Sequence, residues 1–569
     1  MASESISDRT RLAALTITQA KRSAISQLLT SPLYRWRFGG PSASHLILLP
    51  QDIRTADPSF AAEIHHGHFG LAGAVAFTNG ASPFAFEPPN QVWLEELHGF
   101  SWLRHLHASE DDLSREHARR LFRDWVKIEK RQRDVSWAPQ IIARRLISWL
   151  SHAALLLDGG EDAFDDEVLR SLTRQIRHLA GAYGETQDGL PRLTALIALV
   201  LSGLCVAEQE VLIDTYSQQL CTELDRQIFE DGGHISRNPA VLVELLLDLF
   251  PLRQCFAPRD REPPAPLVKA INRILPMIRF MRLGDGSLGR FNGMASTLPD
   301  SIATVLAQDE NQTGTKGLAA QSRYCRLEEK DTVILMDCGG PPPLPLSSDA
   351  HAGCLSFEMS SGTSPIIINC GAPGPADQEW RVTSRATATH STLTMSNVSS
   401  ARLLRNKYLE RSLGASLLSG PDKIDVKIEP HADAVKVLVA HDGYMDRFGV
   451  THLRQLKLFT SGTILEGIDR LIPEAARAKK FRRHDLKFAV HFHIHPDVQA
   501  TRDATGGCAI LNLPNGELWR FEAEGAVLVL EESLFLANFR GPRRTIKIVL
   551  RGLFRDEANV RWRLTKQQT

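Results

Sequence analysis

Several groups of residues in this chain could do chemistry. The segment 231 DGGHISRNP 239 places His234 and Arg237 after a Gly-Gly turn, just where a helix begins. Free backbone N–H groups at such a start, together with those two side chains, could meet an anionic sugar. The nearby Glu230 and Asp231 would suit a hydrolase needing an acid and a base. Capping explains the same stretch equally well, with Asp231 or Asn238 as N-cap and Pro239 in the first helical position. His491, His493 and His495 alternate with Phe492 and Ile494, so they share one face of a strand, and two of them at this spacing could bind a metal ion. A solvated sheet face is the preferred reading, since no carboxylate accompanies them. The run 477 RAKKFRRH 484 could grip a polyanion, although a solvated hairpin tip is the commoner role for such a stretch.

These groups must be carried by two different kinds of scaffold. Between about residues 90 and 285 the apolar residues recur at helical spacing, as in 141 IIARRLISWLSHAALLL 157 and 164 FDDEVLRSLTRQIRHLAGAY 183. Pro191, Pro239 and Pro251 and two glycine pairs cut this run into helices of ordinary length, which predicts hairpins packed in sequence as an α/α toroid. After about residue 330 the period becomes two. Ile424, Val426 and Ile428 alternate with polar residues, as do Val435, Val437 and Val439, and Phe488, Val490, Phe492 and Ile494. With Pro-Asn-Gly at 514 to 516 as a turn signal, this half reads as an antiparallel β-sandwich. The expected division is an N-terminal extension over 1 to 89, a toroid over 90 to 310 and a sandwich over 325 to 569.

Bulk composition agrees with a globular, multidomain protein. The chain has 569 residues, 43% hydrophobic and 23% charged, too long for one core. Lys plus Arg and Asp plus Glu both number 66, so no chain-wide field draws it to nucleic acid or an anionic membrane. Its eight cysteines are scattered without a CxxC pair and read as reduced thiols. Lys21 and Arg22 interrupt the apolar positions of the first thirty residues, so no signal peptide is expected. The expected location is the cytoplasm, with the periplasm second and no membrane insertion.

Four stretches resemble the heparinase II/III-like polysaccharide lyase family: 231 DGGHISRNP 239; 351 HAGCLSFEMSSG 362 followed by 366 IIINCG 371; 385 RATATHSTLTM 395; and 441 HDGYMDRFGVTHLRQL 456. The first is similar to the family's DGG-x-x-x-x-SP segment. The second and third are similar to its H-x-D-x-LSFE, D-x-G and R-x-x-x-HNT strands. The resemblance implies a toroid followed by a sandwich, with an acidic glycan cleaved by β-elimination between them. That reaction must neutralise a uronate carboxylate, remove the C5 proton and protonate the leaving oxygen.

Carried over by position, the family's Asn-His pair falls on Leu190 and Pro191, and its tyrosine on Val241, none of which transfers protons. Its leading sandwich histidine falls on Asp349, which could serve as a base. Its structural zinc set of His, Asp and His falls on His351, Asn369 and His390, a weaker donor set for want of the carboxylate. The resemblance therefore implies a relocated catalytic set of Asp349, His351, His234 and Tyr444, with Arg237, Asn238, Arg385 and His441 holding substrate. The functional order is lyase first, a family member that binds glycan without cutting second, and a hydrolase third. The expected partner is an acidic polysaccharide or oligosaccharide; structural zinc is the one cofactor left open, and a homodimer is expected by analogy alone.

Overall fold

The computed structural model describes residues 6–30, 39–129, 133–157, 162–296, 298–309, 316–375, 377–404, 416–474, 486–503, 507–555 and 557–567. The first half is helical. Its inner wall is the helix Leu190–Cys205, in which every residue from Leu193 onward is buried. It packs against Pro139–Ser151, Val211–Gln227 and Pro239–Gln254. Apolar residues at three- and four-residue spacing, such as Ile142, Leu146, Trp149 and Leu150, give each helix a face that only a neighbouring helix can cover. Trp102, Trp125 and Trp149 pack around Phe100. The buried Arg145 lies over Trp125 and donates to Gln175 Oε1, the His98 carbonyl and the Ser136 carbonyl. A cation survives there because its donors are satisfied.

Among the described residues, the second half is built chiefly of two antiparallel sheets face to face. One has eight strands, in the order Ile424–Pro430, Ala434–His441, Val450–Phe459, Ile464–Pro473, Ala558–Lys566, Leu518–Glu524, Cys508–Asn512 and Gln499–Arg502. The other has nine and centres on Arg543–Phe554, Leu486–Ile494 and Ser364–Ile368, with Leu393–Met395 added beside Leu486–Ile494. Val450–Phe459 alternates buried and half-buried along its whole length. Phe488, Val490, Phe492 and Ile494 all enter the core between the sheets. Pro-Asn-Gly does make the turn between Cys508–Asn512 and Leu518–Glu524, with Gly516 in the left-handed region at φ 86°. The toroid-plus-sandwich expectation is met.

In the sandwich core Arg454 and Asp469 form a fully buried ion pair at 2.8 Å. Trp562 Nε1 and His452 Nε2 also donate to the Asp469 carboxylate. Burial alone would raise the Asp469 carboxyl, but the Arg454 guanidinium and His452 outweigh it and hold it well below the usual range. Arg454 also donates to the carbonyls of Leu355 and Ser391, tying the 351–362 and 385–395 motifs to the opposite sheet.

The eight cysteines are free thiols, all buried except Cys221, which is half-buried. Among the described residues, no helix is long and apolar enough to cross a membrane.

Candidate functional site at the toroid–sandwich joint

The two halves meet at 231 DGG 233. Asp231 accepts hydrogen bonds from Gln321 N, Ser322 N and Ser322 Oγ of the hairpin that opens the sandwich. Gly232, at φ 84°, is pressed so close to the neighbouring helix that a Cβ would fall 1.9 Å from the Arg273 carbonyl oxygen. A Cβ on Gly233 would fall 2.4 Å from Ser322 Cβ. Close backbone approach therefore explains this motif. With Asp231 so engaged and Glu230 ion-paired to Arg273, neither carboxylate is placed as a hydrolase acid or base.

Beyond the turn, His234 is buried, lying 2.9 Å from Gln227 Oε1 through Nε2 and accepting from Ser236 N through Nδ1. Burial pushes its pKa down to about 3, so it is neutral and committed at both nitrogens. Arg237 is buried too. It ion-pairs with Asp337 and donates to the carbonyls of Ser322 and Gly340, while its own carbonyl accepts from Tyr324. Asn238 is the N-cap of Pro239–Gln254, accepting from Ala240 N, and Pro239 takes the first helical position. Capping is thus the role the structure gives Asn238, and Arg237 is a clasp between the halves, not a sugar-facing cation.

On the sandwich side His351 Nδ1 lies 2.9 Å from His390 Nε2, with both rings buried. Since His390 Nδ1 donates to the Ala386 carbonyl, its Nε2 must accept, and His351 Nδ1 carries the shared proton. Burial holds both histidines below their ordinary pKa, His390 at about 4. Asn369 uses its Oδ1 for Ser391 N and its Nδ2 for the Arg290 carbonyl. The three side chains are a poor fit for a zinc ion, because the set lacks a carboxylate and His351 Nδ1, His390 Nε2 and Asn369 Oδ1 already face partners within the protein. Among the described residues no cluster of three His, Cys, Asp or Glu side chains could hold a metal.

Arg385, His441 and Tyr444 are likewise interior. Arg385 donates to the carbonyls of Ala350 and Ser347. His441 accepts from Gly443 N and stands 3.4 Å from His452. Tyr444 lies beside His441, fully buried, and donates to the Leu393 carbonyl at 2.8 Å; burial drives its phenol far above the ordinary tyrosine range. None of the three faces solvent, and a group so placed cannot exchange protons with a glycan. Asp349 differs. It is 57% exposed, pairs with Arg381 at 2.5 Å, and lies with Asn238 against Gly293.

The positions matching the family's proton-transfer residues, Leu190, Pro191 and Val241, are half-buried. Leu190 and Pro191 begin the inner helix, and Leu346 of the sandwich covers the preceding Gly189, where a Cβ would fall 2.7 Å from Leu346 Cδ2. The space left beside His234, Asn238 and Tyr324 is about 10 Å³, room for about one water.

His491 and His493 share one strand face, as expected from their spacing, but that face is covered rather than solvated. Thr394 Oγ1 lies 3.0 Å from His491 Nε2, and the Ala388 carbonyl 3.0 Å from His493 Nε2. The segment preceding Leu393–Met395 lies across the sheet there, which the alternation could not reveal. The basic run 477 to 484 lies outside the described residues.

Sequence reading overlooked Glu358. It is buried, pairs with Arg290 at 3.2 Å and accepts from Asn369 N. Its signal was a lone carboxylate inside an otherwise uncharged strand, Phe357–Ser361.

Residues 311–563 match the model of the heparinase II/III-like C-terminal family. The chain is 32% identical to FtsZ-localized protein C of Caulobacter vibrioides over 94% of its own length and 92% of that protein's. Heparinase III superposes with a TM-score of 0.74 at 11% identity, over 98% of this chain and 91% of that one. A heparan sulfate lyase HepC mutant from Pedobacter heparinus superposes at 0.62 and 16% identity, over 99% and 89%. At such identities the two structures establish likeness of fold.

Proposed function

Because this chain belongs to the heparinase II/III-like family, we propose that it is a member that has kept the polysaccharide-lyase fold but works by binding rather than by cutting glycan. The observation that carries this reading is the loss of proton-transfer side chains from the joint. Leu190, Pro191 and Val241 stand where the family's proton-transfer groups fall, and His351 and His234, the nearby histidines, are buried and hydrogen-bonded within the protein. β-Elimination needs a base and an acid in contact with one sugar ring. The name of the full-length relative supports the partner: we propose that this chain, like that protein, localises with FtsZ. The free thiols support a reducing compartment, the cytoplasm.

Two measurements test this together. A panel of acidic glycans incubated with the protein should develop no near-ultraviolet absorbance from an unsaturated uronate product. A fluorescent fusion should coincide with FtsZ in the cell, and purified protein should sediment with FtsZ polymers. Product formation would overturn the first half of the reading, and a fusion spread evenly through the cell the second.

One observation favours a second reading, that of a lyase with a relocated base. Asp349 is exposed at the joint beside Asn238 and paired with Arg381. Should the panel yield product that Asp349→Ala abolishes, this reading replaces the first.

A further inference from the structure

We propose that a cavity of about 440 Å³, beside the joint, is a binding site for a small hydroxylated oxyanion such as a sugar acid or a sugar phosphate. It lies between the N-terminal helix Ile6–Thr30 and three sandwich stretches, those at Arg323, at 339 to 344 and at 417 to 424. Its volume is within the range of about 300 to 1,000 Å³ that encloses small ligands.

The lining specifies the chemistry. Arg11 enters from the helix and donates through Nη1 to the Leu418 carbonyl at 2.9 Å, the one hydrogen bond of its side chain among the described residues. Arg323 is exposed, and its guanidinium makes no hydrogen bond among the described residues. Its backbone is held at φ 58°, an unusual conformation for a side chain this large, by bonds from Arg323 N to the Ala319 carbonyl and from Cys338 N to the Arg323 carbonyl. Two guanidinium forks in one cavity suit a carboxylate or phosphate, which they can bind in bidentate fashion. Asp422 and Ser419 sit in the same wall, and an acidic group there would repel a bare anion while accepting from hydroxyls. A ligand with an oxyanion at one end and hydroxyls at the other satisfies both.

The helix is a lightly held roof. Among its described side chains, residues 10 to 25, none is buried, and Arg11, Leu12, Leu15, Gln19, Arg22 and Ile25 form the half-buried stripe toward the body. A ligand joining Arg11 to Arg323 would pin this stripe down.

Calorimetric titration of the full chain with glucuronate, with glucose 6-phosphate and with inorganic phosphate tests the proposal. One of the two sugar anions should bind saturably and more tightly than inorganic phosphate. Arg323→Ala, which removes no internal hydrogen bond, should weaken it by about tenfold or more. Arg11→Ala should do the same, and bound ligand should slow tryptic cleavage at Lys21. Three outcomes would each overturn the assignment: neither sugar anion binds, Arg323→Ala binds like the parent, or phosphate alone binds as tightly. The readout needs neither turnover nor FtsZ, so its failure leaves the functional reading standing.

Discussion

His351 Nδ1 and His390 Nε2 face each other at 2.9 Å in the interior, and the Ala386 carbonyl 2.8 Å from His390 Nδ1 fixes which ring donates. A neutral pair of this kind makes the fold sensitive to acid. Burial lowers the folded-state pKa of His390 to about 4, against 6.5 for the free side chain, and His234 and His491 are each lowered to about 3. The unfolded chain therefore binds more protons than the folded one below about pH 6.5. The associated stability is full above that pH and is lost as pH falls toward 4, on the order of 3 kcal/mol for His390 alone. The melting temperature should drop steadily from pH 6.5 to pH 4, and His390→Gln should flatten that slope. A melting temperature unchanged across this window would refute the account.

The Arg454–Asp469 pair gives a second expectation. Asp469→Ala leaves a guanidinium, an imidazole and an indole N–H in the sandwich core without their shared acceptor. Urea titration should show a loss of about 3 to 5 kcal/mol. A loss under about 1 kcal/mol would mean that water reaches the pair.

Tyr444→Phe removes the hydrogen bond to the Leu393 carbonyl. It should cost about 1 kcal/mol of stability and leave any binding or turnover as it was. Should turnover be found and then vanish in this variant at unchanged stability, Tyr444 would return to the list of working residues.

Gly232→Ala tests the joint. The added Cβ would collide with the Arg273 carbonyl from a left-handed backbone, and carbonyl oxygens of a packed helix cannot retreat cheaply. A loss of about 3 kcal/mol or more is expected by thermal unfolding. Asp231→Asn, which keeps one acceptor for the Ser322 hairpin, should cost clearly less; equal costs would show that the glycine's space is not the limiting feature.

Much of this architecture was readable from the chain itself. Periodicity is a local property, set by how many residues pass before the same face returns. The 3.6-residue spacing over 141 to 157 and the two-residue spacing over 488 to 494 thus announced toroid and sandwich directly. Asn238 followed by Pro239 announced a helix start for the same reason. The family's stretches were equally visible, as was the loss of its proton-transfer side chains at Leu190, Pro191 and Val241.

Residue types could not say which polar side chains remain available. His234, Tyr444, Arg385 and His441 all look capable of chemistry as letters, and each is buried and engaged by a partner that only the fold brings within hydrogen-bond reach. Whether a histidine is a base or a neutral strut depends on desolvation and on its second nitrogen's partner, both of which are properties of packing. The cavity is further from view still. Arg11, Arg323 and Asp422 are far apart in sequence and meet because a helix from the start of the chain lies against loops of the second half. Sequence thus determined the two scaffolds and the missing catalytic groups, because local spacing and side-chain identity encode them. The tertiary structure decided burial, pairing and enclosure, because those arise only where separate segments exclude water together.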